Sequence, residues 1–293
     1  MVGCPRSSCR RTKPGAARPA VRDAGGRAVS WSLREWRRQR VLKGRPLDAR
    51  VFAAAIESFP FLRVLDHAER ERLERWATLF LGEKHAHGAA GLELDDRMRY
   101  AIAAQACVLI LELDYEYFRG WSEIIVYPDE FLVPREYVDE AGVVHAHREV
   151  LAGEAWLGGP VILSWADVAP GAYAGGVNVV LHEFAHKLDM LNGEPNGYPP
   201  LHRDMSKDAW RAAFESAYAD FCERVDGGED TLIDPYAAEH PGEFFAVVTE
   251  AFFGAPGVLR REYPEVYRQL TLFYRQDPHA RLARTREAAS AVR

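Results

Sequence analysis

No run of about 18 apolar residues occurs anywhere in the 293-residue chain, so a membrane-spanning helix is not expected. The N-terminus is basic but lacks the apolar core of a secretory signal. Cysteine is scarce. Cys4, Cys9, Cys107 and Cys222 are too few and too scattered for a disulfide framework, and Cys4 and Cys9 have no matching downstream pair for a zinc ribbon. A reducing cytoplasm is the expected compartment. No internal repeat is visible. The 48% hydrophobic and 27% charged residues suit a globular chain with a sizeable core.

Charge is unevenly spread. Residues 1–45 carry 13 basic residues against Asp23 and Glu35, whereas the remaining 248 carry 24 basic against 41 acidic. A body with a balance of −17 repels nucleic acid, so no direct nucleic-acid binding is expected. The basic stretch is rich in Arg, Gly, Pro and Ala and has little apolar periodicity. It is expected to be a disordered leader, or the product of a start placed too far upstream, with Trp31 and Trp36 hinting at a short helix near its end.

Beyond the leader, periodicity predicts helices over 47–59, from an Asp66 cap to Lys84, and over 95–113. The period then shortens, and strands are expected at 123–128, 143–150 and 161–165. Helical patterns return over 175–191, 206–225, 241–253 and 263–275. Helices, a small sheet and more helices imply an α+β fold.

The segment from Val179 to Asp189 contains His182-Glu183-Phe-Ala-His186. Residues four apart share a helix face, so both imidazoles can reach one ion with Glu183 beside it. In this composition the pattern would arise by chance about 0.03 times. Apolar Val179, Val180 and Leu181 before it suit a buried helix. Lys187 departs from the uncharged residue usual after the second His. Zinc is the natural metal for such ligands. A third ligand is needed. Glu243, in the first turn of a helix opened by Pro241, and Glu250, two turns on along the same face, both qualify, and spacing does not choose between them. Asp189, only three residues after His186, suits a supporting role better than ligation.

The pairing of HEFAHKLD (182–189) with YAAEHPGEFFAV (236–247) resembles the Mlc titration factor A family of bacterial zinc peptidases and, more distantly, the catalytic domain of anthrax lethal factor. The likeness runs from about Phe59 to Thr285 and includes GLELDDRMR, EIIVYPDEF, GPVILSWADV and FYRQDPHARLART. It implies a zincin-like metallopeptidase fold: helices around a small mixed sheet, with the HExxH helix at the active site. It also implies Glu243 as third ligand, Tyr236 as catalytic tyrosine, and Glu250 as support for a ligand histidine. The domain plan that follows is a leader over 1–45, one zincin-like domain over 46–285 and a polar tail over 286–293.

Mechanism follows from these parts: one Zn²⁺ per chain on His182, His186 and Glu243, Glu183 as general base and Tyr236 as donor to the oxyanion. In related peptidases the substrate lies along the sheet's edge strand. The segment from Ala152 to Trp156 is the candidate edge, with Trp156 as a substrate contact. Glu154 is placed to meet a substrate amine, against the competing reading of a solvated strand carboxylate. The resemblance further implies aminopeptidase character and, in enteric relatives, binding to a glucose-responsive transcriptional repressor of sugar uptake. Two alternatives stand beside it: a regulatory protein that sequesters a transcription factor with little catalysis, and a metal-dependent hydrolase of something other than peptides.

Other residues take plainer readings. His145 and His147 are expected to be exposed strand positions, and His85 and His87 to end a helix. His240 and His202 fit either cleft or loop. Trp121, Trp165 and Trp210 suit the core, and Cys107 is expected to be an inert buried thiol. The charges over 69–75 suit a solvated helix face, and the C-terminus a frayed end.

Overall fold

A computed structural model describes residues 21–22, 28–29, 33–44, 47–138, 144–170 and 177–291. The chain divides into two units, Met1–Arg40 and Val41–Arg293. In the first, β1 (Val21–Arg22) pairs antiparallel with β2 (Ala28–Val29); α1 (Leu33–Gly44) follows in sequence, beginning in the first unit and ending in the second. Most of the expected leader, with Cys4, Cys9 and Trp31, lies outside the described residues.

In the second unit, α2 (Ala49–Ser58) starts at Asp48, whose carboxylate accepts from the N–H groups of Arg50 and Val51. It ends before Pro60, which opens the short α3 (Pro60–Arg63). Phe52, Ala55, Ile56 and Phe59 are buried, at the three- and four-residue spacing of one helix face. Helix α4 (His67–Glu83) begins in a capping box between Asp66 and Glu69. Helix α5 (Asp96–Leu109), capped by Asp95, is buried along its whole second half and packs against α2, α4 and the metal-motif helix. It stops short of the expected Leu113.

The sheet is mixed. Strands β3 (His85–Gly88), β4 (Glu123–Tyr127) and β8 (Val161–Ser164) run parallel, and β7 (Gly153–Ala155) pairs antiparallel with β8 as the outer strand of the order β3-β4-β8-β7. His85 and His87 therefore lie on a strand, not at a helix end: Lys84 closes α4, and His87 faces Glu123 across the parallel pair. Strand β5 (Phe131–Val138), unforeseen from the pattern, pairs antiparallel with β6 (Val144–Leu151) as a separate hairpin. His145 and His147 fall on β6, and their side chains lie outside the described ones.

After α6 (Trp165–Val168) comes α7 (Val179–Asp189), whose Asn178 cap accepts from Leu181 N–H. The predicted start at Gly175 falls outside the described residues. Helices α8 (Lys207–Asp226) and α9 (Pro241–Gly254) match their expected spans. Pro256 and Pro264 then open α10 (Pro256–Glu262) and α11 (Pro264–Tyr274). The C-terminal stretch is not frayed: α12 (Pro278–Ala291) carries Arg281 inward onto Glu69. Glu69 is thus buried in an ion pair rather than solvated. Trp210 is wholly enclosed, and Trp121 and Trp165 pack against the core. No helix of the described residues is long and apolar enough to cross a membrane.

Candidate metal centre

Helices α7 and α9 pack against each other, and their contact brings the charged residues of both motifs together. The 3.6-residue period sets His182 and His186 one turn apart on α7. Glu243 stands in the first turn of α9, opposite them. His182 Nε2 lies 2.9 Å from Glu243 Oε2, His186 Nε2 lies 3.2 Å from the same oxygen, and the two Nε2 atoms are 3.1 Å apart. Three lone-pair atoms crowded this closely match the edge of a tetrahedron, which is about 3.3 Å for ligand bonds of about 2.0–2.1 Å. Among the described residues these three form the only cluster of this kind.

The charges around the cluster also call for a cation. His182 Nδ1 is 2.7 Å from Glu250 Oε1, whose other oxygen accepts from Asn178 N–H. Burial would keep the His182 imidazole neutral, yet the hydrogen bonds to Glu243 and Glu250 outweigh it and hold the ring protonated well above its ordinary range. The Glu243 carboxyl is driven the other way by both histidines against its own burial. Glu183, 4% exposed, is pushed up to about 7 by burial, which outweighs the pull of His182 and His186. Burial also raises Glu250. With no ion present, protons on His182 and on the raised carboxyls balance the charge of Glu243, and a divalent ion at the shared corner would take the place of those protons.

The remaining predicted residues are spread around this cluster. Tyr236 is 43% exposed in the turn before α9, with its ring centroid 6.0 Å from that of His182. Asp189 is fully buried and points away from the three-atom cluster. Its carboxylate accepts from the N–H groups of Asn196, Gly197 and Tyr198, at 2.7, 2.7 and 2.9 Å. That loop in turn abuts the start of α9, because a Cβ on Gly197 (φ +76°) would lie 2.6 Å from Pro241 O. Asp189 therefore ties α7 and α9 together through a loop. Glu154 sits on β7 opposite Ile162, and Trp156 is half-exposed in the turn that follows. His240 caps α9, its Nδ1 accepting from Gly242 N–H at 3.0 Å. His202 stacks on Phe273 and donates from Nε2 to its carbonyl.

Three residues here went unassigned on sequence grounds. Asn178 caps α7 and is held by Gln105 and Glu250; an Asn directly before an apolar helical run was the available signal. Gly153 meets the active helix so closely that a Cβ would lie 2.5 Å from both Glu183 Oε1 and Val179 Cγ2. Lys187, only 3% exposed, donates to the carbonyls of Trp156 and Gly159 at 2.6 and 2.8 Å. Its oddity beside the second His was visible in the sequence, but its partners were not.

A mixed α+β chain with two histidines and a glutamate gathered at one point between two helices has the build of a metal-dependent hydrolase. Residues 33–275 match the family model described as glucose-regulated metallo-peptidase M90, and the chain belongs to that family. It is also similar to Mlc titration factor A of Yersinia pestis (strain Pestoides F), with 37% identity over 231 residues that cover 78% of this chain and 85% of that protein. The same figures hold for Mlc titration factor A of Yersinia pseudotuberculosis serotype IB (strain PB1/+).

Proposed function

We propose that this protein is a zinc-dependent, aminopeptidase-like peptidase with a zincin-like domain over residues 46–285. In this reading His182, His186 and Glu243 hold the metal, Glu183 is the general base and Tyr236 a hydrogen-bond donor to the developing oxyanion. The observation that carries it is the convergence of His182 Nε2, His186 Nε2 and Glu243 Oε2 within 3.2 Å of one another, with a buried glutamate on the same helix. When bound, the metal supplies Lewis acidity: it polarises the scissile carbonyl and acidifies the attacking water. Glu183 takes the water's proton and passes it to the leaving amine. Burial raises its carboxyl to about 7, and the field of a bound cation would lower it again, which favours the ionised form that accepts the proton. Glu250 fixes the His182 ring through Nδ1, as a carboxylate does for a ligand histidine. Tyr236, half-exposed beside the cluster with its ring 6.0 Å from that of His182, is the side chain that would donate to a substrate carbonyl as charge develops on it.

The outer strand β7, which among the described residues pairs with β8 alone, would offer its other edge to an extended peptide, with Glu154 for the substrate amine and Trp156 for a neighbouring side chain. The relatives carry the name Mlc titration factor A, and we extend that property here: a transcriptional repressor of sugar uptake as partner, met in the cytoplasm. A second reading, a regulator that sequesters such a repressor with little catalysis, rests on that name alone.

Metal content and hydrolysis of fluorogenic aminoacyl and peptide substrates, measured for wild type beside Glu183→Gln, test the reading. Stoichiometric zinc in both is expected, with turnover lowered about 10²–10⁴-fold in the variant. Zinc in both with turnover in neither moves the weight to the sequestering regulator. No bound metal sinks the proposal.

A further inference from the structure

Helix α7 presents two neighbouring stripes, each repeating every four residues. One is His182 and His186, aimed at Glu243. The other is Val179, Glu183 and Lys187, and it lies along β7. Gly153, the first residue of β7, is pressed onto Val179 and Glu183 with no space for a side chain. At the far end, the turn that joins β7 to β8 closes on itself: Gly159 N–H donates to Trp156 O, and Trp156 N–H donates to Pro160 O, each at 3.0 Å. Lys187 reaches into this turn and donates to Trp156 O and Gly159 O. Its ammonium also lies 5.2 Å from the centre of the Trp121 ring, whose face carries Lys84 at 3.7 Å. A lysine this deeply buried is held by fixed acceptors, and here the acceptors are two backbone carbonyls of one turn.

We propose that Lys187 is a positioning residue for substrate: it fastens the β7–β8 turn to the metal-motif helix, so that the outer edge of β7 stands at a constant depth beside the metal ligands. One helix then sets both the ligands and the strand on which a peptide lies. The outer strand is three residues long and among the described residues pairs with β8 alone, so without the anchor it would fray. The inference rests on the peptidase reading, and on peptides binding by strand addition. Substrates with too little backbone to pair with β7, which meet it only through Glu154, should depend on Lys187 less than peptides do.

The test compares wild type, Lys187→Met, which keeps the apolar stem but has no donor, and Lys187→Gln, which restores a donor. Each is assayed with an unblocked peptide of about five residues, long enough to run the length of β7, and with a single-residue aminoacyl anilide. Metal content is measured alongside, together with amide hydrogen exchange over residues 153–159. For Lys187→Met we expect KM for the peptide to rise about tenfold with kcat nearly unchanged, as when binding common to ground and transition states is lost. KM for the anilide, which meets β7 through Glu154 alone, should rise clearly less than that for the peptide, the zinc content should not move, exchange over 153–159 should quicken, and Lys187→Gln should recover part of both effects. Unchanged exchange in Lys187→Met overturns the anchor. Faster exchange with an unchanged peptide KM, or an equal rise for both substrates, overturns its role in holding substrate. If the wild type hydrolyses neither substrate, the peptidase reading falls and the substrate role falls with it, while the exchange result still decides whether Lys187 holds the strand.

Discussion

Gly153 shows how one missing side chain can govern a site. Its position at the start of β7 is fixed by pairing with Leu163, and its Cα faces the carboxylate of Glu183. A methyl group there would overlap both Glu183 and Val179, so either the strand moves outward or the glutamate turns away. Both displace groups whose placement matters at the ångström scale. Gly153→Ala is expected to keep its metal and to lose turnover by about 10–100-fold, with kcat falling more than KM rises. Metal analysis beside steady-state kinetics checks this, and full activity in the alanine variant would show that the strand does not press on the base. The glycine was part of the segment marked as a candidate edge strand, but nothing in the sequence says that it abuts Glu183, because that contact joins residues 30 apart.

At the scale of elements, Glu250 links two helices at a point where both carry function. From the third turn of α9 its carboxylate reaches the Asn178 N–H that begins α7 and the Nδ1 of His182. Glu250→Ala leaves the Asn178 N–H and one imidazole nitrogen without a partner, so metal affinity is expected to fall about 10–100-fold. Glu250→Gln, which keeps an acceptor, should fall less, and competition with a chelator measures both. An alanine variant with wild-type affinity would show that His182 needs no such support. The spacing of Glu243 and Glu250 marked both as candidates. Only the packing of α7 on α9 separates them, one meeting the Nε2 side of His182 and the other its Nδ1 side. Helices were legible where a cap or a clear period marked them: Asp66, read as a cap, is one, and the helices expected from 95 and from 206 begin there, behind Asp95 and Ser206 as caps. They were illegible where tertiary partners decide. The β5–β6 hairpin depends on pairing between strands, and α12, polar in sequence, is held by a residue more than 200 positions away.

For the whole molecule, the pairing of Arg281 with Glu69 joins the last helix of the chain to the start of α4. The guanidinium donates to Glu69 Oε1 from Nη2 at 2.7 Å and to both carboxylate oxygens from Nε, and it also reaches Gln276 Oε1. Glu69 is committed at the same time to the capping box, where it accepts from Asp66 N–H. The two side chains are 5% and 13% exposed, so this is a buried pair, not a surface one. Breaking such a pair from one side leaves a charge in poorly solvated surroundings, at a cost of about 3–5 kcal/mol, whereas removing both partners is far milder. Arg281→Met should therefore destabilise the protein by about 3 kcal/mol, and Glu69→Gln in the same background should return much of the loss. Chemical denaturation of the two single variants and the double variant, each saturated with zinc so that metal binding does not enter the comparison, closes the cycle. Because the pair lies on α4 and α12 rather than on α7 or α9, turnover per folded, metal-loaded molecule should stay at the wild-type value in all three. If Arg281→Met lost activity out of proportion to its unfolded fraction, the C-terminal helix would have to influence the cleft as well as the stability of the fold.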